Sequence, residues 1–164
     1  IDLSSIAKGY AVDKIIESLN YDNVFVEIGG EVRTKSNSKL WKIGITTPSI
    51  DNISNQIDYI VPIKNASLAT SGNYRNFYFD KDKRFYHHEI NPLTGYPIMS
   101  KLASISVFSP TSCMEADGLA TALYMMKADQ INSFFEESSF EGLMIYVEPD
   151  MSFRRVFSEN FPKN

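Results

Sequence analysis

Cysteine is almost absent from this chain: Cys113 stands alone among 164 residues, so no internal disulfide can brace the fold. It falls at the start of an expected helix and reads as a small core residue. Histidine occurs twice, as the neighbours His87 and His88. On a strand they point to opposite faces, and the chain has no further His or Cys ligands to complete a zinc site. No stretch approaches the roughly 20 apolar residues of a membrane span, and no signal-peptide pattern is present. The chain opens at Ile1 rather than Met, with a helix expected within its first residues. It therefore reads as a piece of a longer protein, so the lack of a leader carries no information.

Excess positive charge is missing too. The net charge is −4, and no basic face is long enough for nucleic acid. Lys81, Lys83 and Arg84 are interleaved with Asp80 and Asp82, as in a solvated hairpin tip. What the chain has is apolar material. Hydrophobic residues make up 43%, and a chain of this size buries roughly 70% of its unfolded surface. A single domain over residues 1–164 is expected, with no repeat or linker.

Periodicity and turn signals predict the elements in order. A helix capped by Ser4 or Ser5 runs to about Asn20, with Ile6, Tyr10, Val12, Ile15, Ile16 and Leu19 as its buried stripe. Strands follow at 24–28, 31–34, 41–46, 58–63 and 67–71, with a polar loop at 35–39. Segments 74–79 and 84–90 form a hairpin, and Pro92 to Gly95 has turn chemistry. A strand at 103–108, helices at 112–126 and 128–138, and a strand pair at 143–147 and 153–157 complete the chain. Mostly antiparallel neighbours beside packed helices give α+β.

Four segments carry chemistry. Ser4 to Tyr10 begins a helix, where free amides and the positive end of the dipole hold phosphate and Lys8 adds a point charge. A plain amphipathic helix also explains that segment. Gly29 and Gly30, flanked by Glu27 and Glu31, follow a buried strand; they allow close ligand approach or simply make a tight turn. Tyr86 to Gly95 holds both histidines, either of which can be a base or a satisfied structural residue. In Glu115 to Leu123, Asp117 and Thr121 are four apart on one helix face. A carboxylate and a hydroxyl so placed suit Mg²⁺, which takes hard oxygens and seldom a complete protein cage. A partly buried, helix-capping aspartate is the simpler alternative. Gly118 costs about 1 kcal/mol relative to alanine inside a helix, which points to close approach by another group.

Taken together and in order, these segments resemble the ApbE family of flavin transferases. Residues 2–13 (DLSSIAKGYAVD) are similar to the family segment D-L-G-x-I-A-K-G-Y-A-x-D. Val26 to Arg33, Trp41 to Ile45, Ala69 to Tyr74, the His-His turn, Thr94 to Pro97 and Ala116 to Leu123 also have counterparts. The resemblance implies an ApbE, T-fold-like architecture incomplete at its N-terminus, this chain being the C-terminal part. It implies Mg²⁺ held by Asp117, Thr121 and the Ser5 carbonyl. FAD would be contacted by Lys8, Gly29, Gly30, Glu31, Ile90, Thr94 and Gly95, with His87 or His88 near its pyrophosphate. FMN would pass from FAD to a threonine of an acceptor flavoprotein, with Asp117, His88 or His87 as base. Water in place of threonine would make the chain an FAD pyrophosphatase; loss of catalysis would leave an FAD-binding protein. Thr121 itself is not expected to be an acceptor, because its helix reads as buried. An extracytoplasmic, lipid-anchored location is implied for the whole protein. Ser4-Ser5 departs from the usual glycine or alanine, and Asn91 from a common aspartate.

Overall fold

The hydrophobic alternation of the strands builds one six-stranded sheet. The computed structural model describes residues 3–48, 56–72, 77–79, 81, 85–87, 90–92, 94–98, 100–150 and 152–163. The elements are α1 (Ser4–Ser18), β1 (Asn23–Ile28), β2 (Glu31–Ser36), β3 (Trp41–Thr46), β4 (Ile57–Ile63), β5 (Ser67–Gly72) and β6 (Phe77–Phe79). They continue as β7 (Phe85–His87), β8 (Leu102–Ser109), α2 (Cys113–Tyr124), α3 (Ala128–Glu137), β9 (Glu141–Val147) and β10 (Phe153–Phe157). The main sheet has the order β1-β2-β5-β8-β9-β10, antiparallel at every pairing. Two ribbons, β3-β4 and β6-β7, stand beside it. The α+β expectation is met. Among the described residues no helix is long and apolar enough to cross a membrane.

Alternate residues of the sheet feed two cores. Ala69, Ile105, Val107 and Met144 join Ala116, Ala120 and Leu123 of α2 and Ile131 and Phe135 of α3. Leu68, Leu143 and Ile145 face the other way, against Ile45 of β3 and Val61 and Ile63 of β4. A smaller cluster under α1 joins Val12 and Ile16 to Val24, Val26 and Cys113. Full burial of each such aliphatic side chain contributes about 1.5–3 kcal/mol.

Three local expectations are corrected. Leu3, not Ser4 or Ser5, occupies the cap position of α1, and both serines lie inside the helix. The buried face of α1 is Gly9, Val12, Asp13 and Ile16, whereas Tyr10 and Ile15 are exposed. α2 crosses there, and its backbone leaves room only for a glycine. Strand β2 runs on to Ser36, through residues expected to form a loop. The Ser36 amide donates to Asn65 Oδ1 at 2.6 Å and its hydroxyl to Asn23 Oδ1 at 2.5 Å, so a polar strand end is buried at no cost in unpaired groups.

α1 and α2 cross backbone against backbone. A Cβ on Gly9 would lie 2.4 Å from the Cys113 carbonyl oxygen and 2.7 Å from Met114 Cα. A Cβ on Gly118 would lie 3.0 Å from Ile6 Cγ2, which explains the glycine inside α2. Gly9→Ala is expected to force the helices apart and to lower the unfolding free energy by about 3 kcal/mol, the upper end of overpacking costs. Urea denaturation checks this; a change of under about 0.5 kcal/mol would contradict the crossing.

Candidate functional site

At the helix crossing the side chain of Asp117, only 4% exposed, accepts a hydrogen bond from the Gly9 amide at Oδ2, 2.9 Å away. In a regular helix the Gly9 amide serves the carbonyl of Ser5, four residues back. Here that amide also donates to Asp117. Burial pushes the Asp117 carboxyl above its usual range, against the lowering effects of the Gly9 amide and the Lys8 charge.

The β1-β2 hairpin supplies the second carboxylate. Ile28 and Glu31 pair across the two-residue turn Gly29-Gly30. Gly29 and Gly30 have φ values of 64° and 105°, in the left-handed region that favours glycine. Glu31 is 1% exposed. Its Oε1 is 2.7 Å from Lys8 Nζ, while Oε2 is buried with no hydrogen-bond partner. A Cβ on Gly29 would sit 3.3 Å from Lys8 Cδ and 3.6 Å from that Oε2, so the bare turn leaves space beside both groups. Burial raises the Glu31 pKa; Lys8 opposes the rise and the charge of Asp117 adds to it. Glu27, the other flanking glutamate, is exposed. Lys8, expected to contact FAD, has its ammonium paired with Glu31.

Thr121 follows Asp117 by one turn of α2 and is half-buried. Its Oγ1 lies 3.1 Å from Ser71 Oγ near the end of β5. The two helices run in opposite directions. Asp13 meets Cys113 and Met114, Gly9 meets Asp117, and Ile6 lies against Gly118. Of the sequence-derived set Ser5, Asp117 and Thr121, the last two share one face of α2, and Ser5 lies in the first turn of α1. Among the described residues no three His, Cys, Asp or Glu side chains are grouped to hold a metal. A full protein cage is not what these residues provide. A carboxylate and a hydroxyl one helical turn apart fit a hard cation that takes the rest of its oxygens from backbone, water or phosphate.

The remaining expected residues lie elsewhere. His87 closes β7, paired with Phe77; His88 lies outside the described residues. Ile90 bridges Pro97. Between them Asn91 O accepts from the Thr94 amide at 3.2 Å and the Gly95 amide at 2.8 Å, with Gly95 at φ 72°. Ile90, Thr94 and Gly95 are thus organised around their own turn, and the bonds just described do not connect them to Asp117.

Sequence reasoning missed the role of Asp13. This buried carboxylate of α1 accepts from the Cys113 amide at 2.9 Å, the Met114 amide at 3.0 Å, Ser112 Oγ at 2.8 Å and Arg33 Nη1 at 2.7 Å. It caps α2 from another helix and ties both to β2. Burial alone would raise its pKa, but these donors together hold it below the usual carboxylate range. The available signal was an acidic residue four positions after Gly9, on the helix's inner side.

The sequence model described as "ApbE family" matches residues 1–144. The chain is 40% identical over 169 residues to an FAD:protein FMN transferase of Haemophilus influenzae, covering 99% of this chain and 48% of that protein. It is 40% identical over 167 residues to the Vibrio cholerae FAD:protein FMN transferase, covering 98% and 48%. Among solved structures, flavin transferase ApbE from Vibrio cholerae aligns with a TM-score of 0.79 at 38% identity, over 98% of this chain and 51% of that one. The ApbE protein of Thermotoga maritima aligns with a TM-score of 0.81 at 30% identity, over 100% and 54%. The chain spans about half the length of the curated relatives it matches.

Asp13 gives the fold a definite acid response. With its folded pKa lowered, its stabilisation is complete above the unfolded value of 3.8 and is lost as pH falls through the lower folded value. Asp13→Asn is expected to lose about 2–3 kcal/mol at neutral pH, the scale of a charged hydrogen bond, and to flatten the acid limb of the stability profile. Urea titrations across the acid range decide this; identical acid limbs would contradict the role given to Asp13.

Proposed function

The chain belongs to the ApbE family, and on that basis we propose that the whole protein transfers FMN from FAD to a threonine hydroxyl of an acceptor protein, dependent on Mg²⁺ and releasing AMP. The observation that carries this reading is the buried Asp117 carboxylate, held at the Gly9 amide within one helical turn of Thr121. Asp117, Thr121 and the Ser5 carbonyl would hold Mg²⁺, which when bound neutralises charge on the diphosphate oxygens.

This chain's own residues supply positioning. The start of α1 has no acidic residue in its first turn, so the positive end of its dipole suits phosphate. Lys8 adds a cation at the same end, oriented by Glu31. The Gly29-Gly30 turn admits a ligand beside the orphaned Glu31 Oε2, an acceptor waiting for a donor. Ile90, Thr94 and Gly95 would flank the dinucleotide from their own turn. The threonine oxygen attacks the FMN-side phosphorus, the bond to the bridging oxygen breaks, and AMP leaves with the electron pair. The threonine proton passes to a base, for which His87, His88 and Asp117 are the candidates.

Mass spectrometry on an acceptor protein incubated with FAD, Mg²⁺ and the full-length protein tests the reading. A gain of one FMN on a threonine is expected, whereas free FMN with no acceptor adduct would point to hydrolysis. Asp117→Ala is expected to lose at least 100-fold in transfer rate, as for removal of one strong transition-state stabiliser. Undiminished transfer by that variant would overturn the assignment.

A further inference from the structure

Strand β5 turns alternate residues to the helices. Ala69 joins the core beneath α2, and two positions on, Ser71 Oγ lies 3.1 Å from Thr121 Oγ1. At that distance two hydroxyls share one proton, one donating and the other accepting. A helical threonine commonly returns its proton to a carbonyl of the preceding turn. Here the sheet provides a partner from 50 residues away. A hydroxyl that offers a lone pair to a cation must send its proton in another direction, and an acceptor fixed on a strand sets that direction. We propose that Ser71 is a positioning residue: it accepts the Thr121 proton and so turns a Thr121 lone pair towards the cation site beside Asp117. This rests on the cation reading above and adds to it a partner that acts through Thr121.

Mn²⁺ alone, with its free fraction read by electron paramagnetic resonance, serves as the probe on the full-length protein. The set is the unaltered protein, Ser71→Ala, Ser71→Thr, Thr121→Ala and the double alanine variant. Ser71→Ala is expected to weaken Mn²⁺ binding about tenfold, the lower end of what outer partners of metal ligands contribute. Ser71→Thr, which keeps the hydroxyl, restores binding, and the double variant binds no more weakly than Thr121→Ala. Thermal midpoints without metal stay together across the set. Unchanged affinity in Ser71→Ala beside a weakened Thr121→Ala overturns the role of Ser71 and leaves the cation site standing. Equal losses in Ser71→Ala and Ser71→Thr also overturn it, since the hydroxyl is then not what matters. Unweakened binding in Thr121→Ala overturns the cation site at Thr121, and this inference with it.

Discussion

The Asp117 carboxylate reaches the Gly9 amide only because α1 and α2 touch backbone to backbone, with hydrogen in place of a side chain on Gly9. That contact fixes the register of the two helices, so that Asp13 meets the start of α2 and Ile6 lies against Gly118. The glycine at the crossing, the aspartate that spans it and the hydroxyl one turn further on form one arrangement. A wider helix spacing would leave Asp117 without its donor and separate the oxygens on which the proposed cation site depends.

Among the described residues three carboxylates, Asp13, Glu31 and Asp117, are buried beside α1 and α2, and their surroundings divide them. Asp13 has four donors and is held more acidic than usual; its charge is fully used by the fold. Asp117 and Glu31 are pushed the other way by burial, and Glu31 keeps one oxygen with no partner. Carboxylates kept charged by too few donors are expensive to the isolated fold and gain from a cation or a ligand donor. A group saturated with protein donors builds the scaffold; an under-supplied one faces the chemistry. By that criterion Asp117 and Glu31 are the candidates for the proposed site and Asp13 belongs to its frame.

The strands were legible wherever apolar alternation sets the face, and β3 and β10 begin and end where the pattern places them. The i, i+4 placement of Asp117 and Thr121 and the double glycine were legible because local spacing alone carries them. The partnerships were not. Gly9 and Asp117 are 108 residues apart, and nothing local in either segment names the other. The α1 stripe was misread for the same reason: counting apolar residues favours Tyr10 and Ile15, whereas the packing partner selects Gly9 and Asp13. The partner of Lys8 was not legible because the buried carboxylate that holds it comes from the β1-β2 hairpin, not from α1.

Manganese has an anomalous signal and takes oxygen ligands as magnesium does, so diffraction from crystals of the full-length protein grown with Mn²⁺ and a dinucleotide diphosphate tests the central claim most directly. The account predicts an anomalous peak bounded by Asp117 Oδ1, Thr121 Oγ1 and the Ser5 carbonyl, with diphosphate oxygens completing the shell. Strong density elsewhere, for example in the acidic cleft of about 310 Å³ that includes Glu136, Glu141 and Glu159, with none at Asp117, would contradict it.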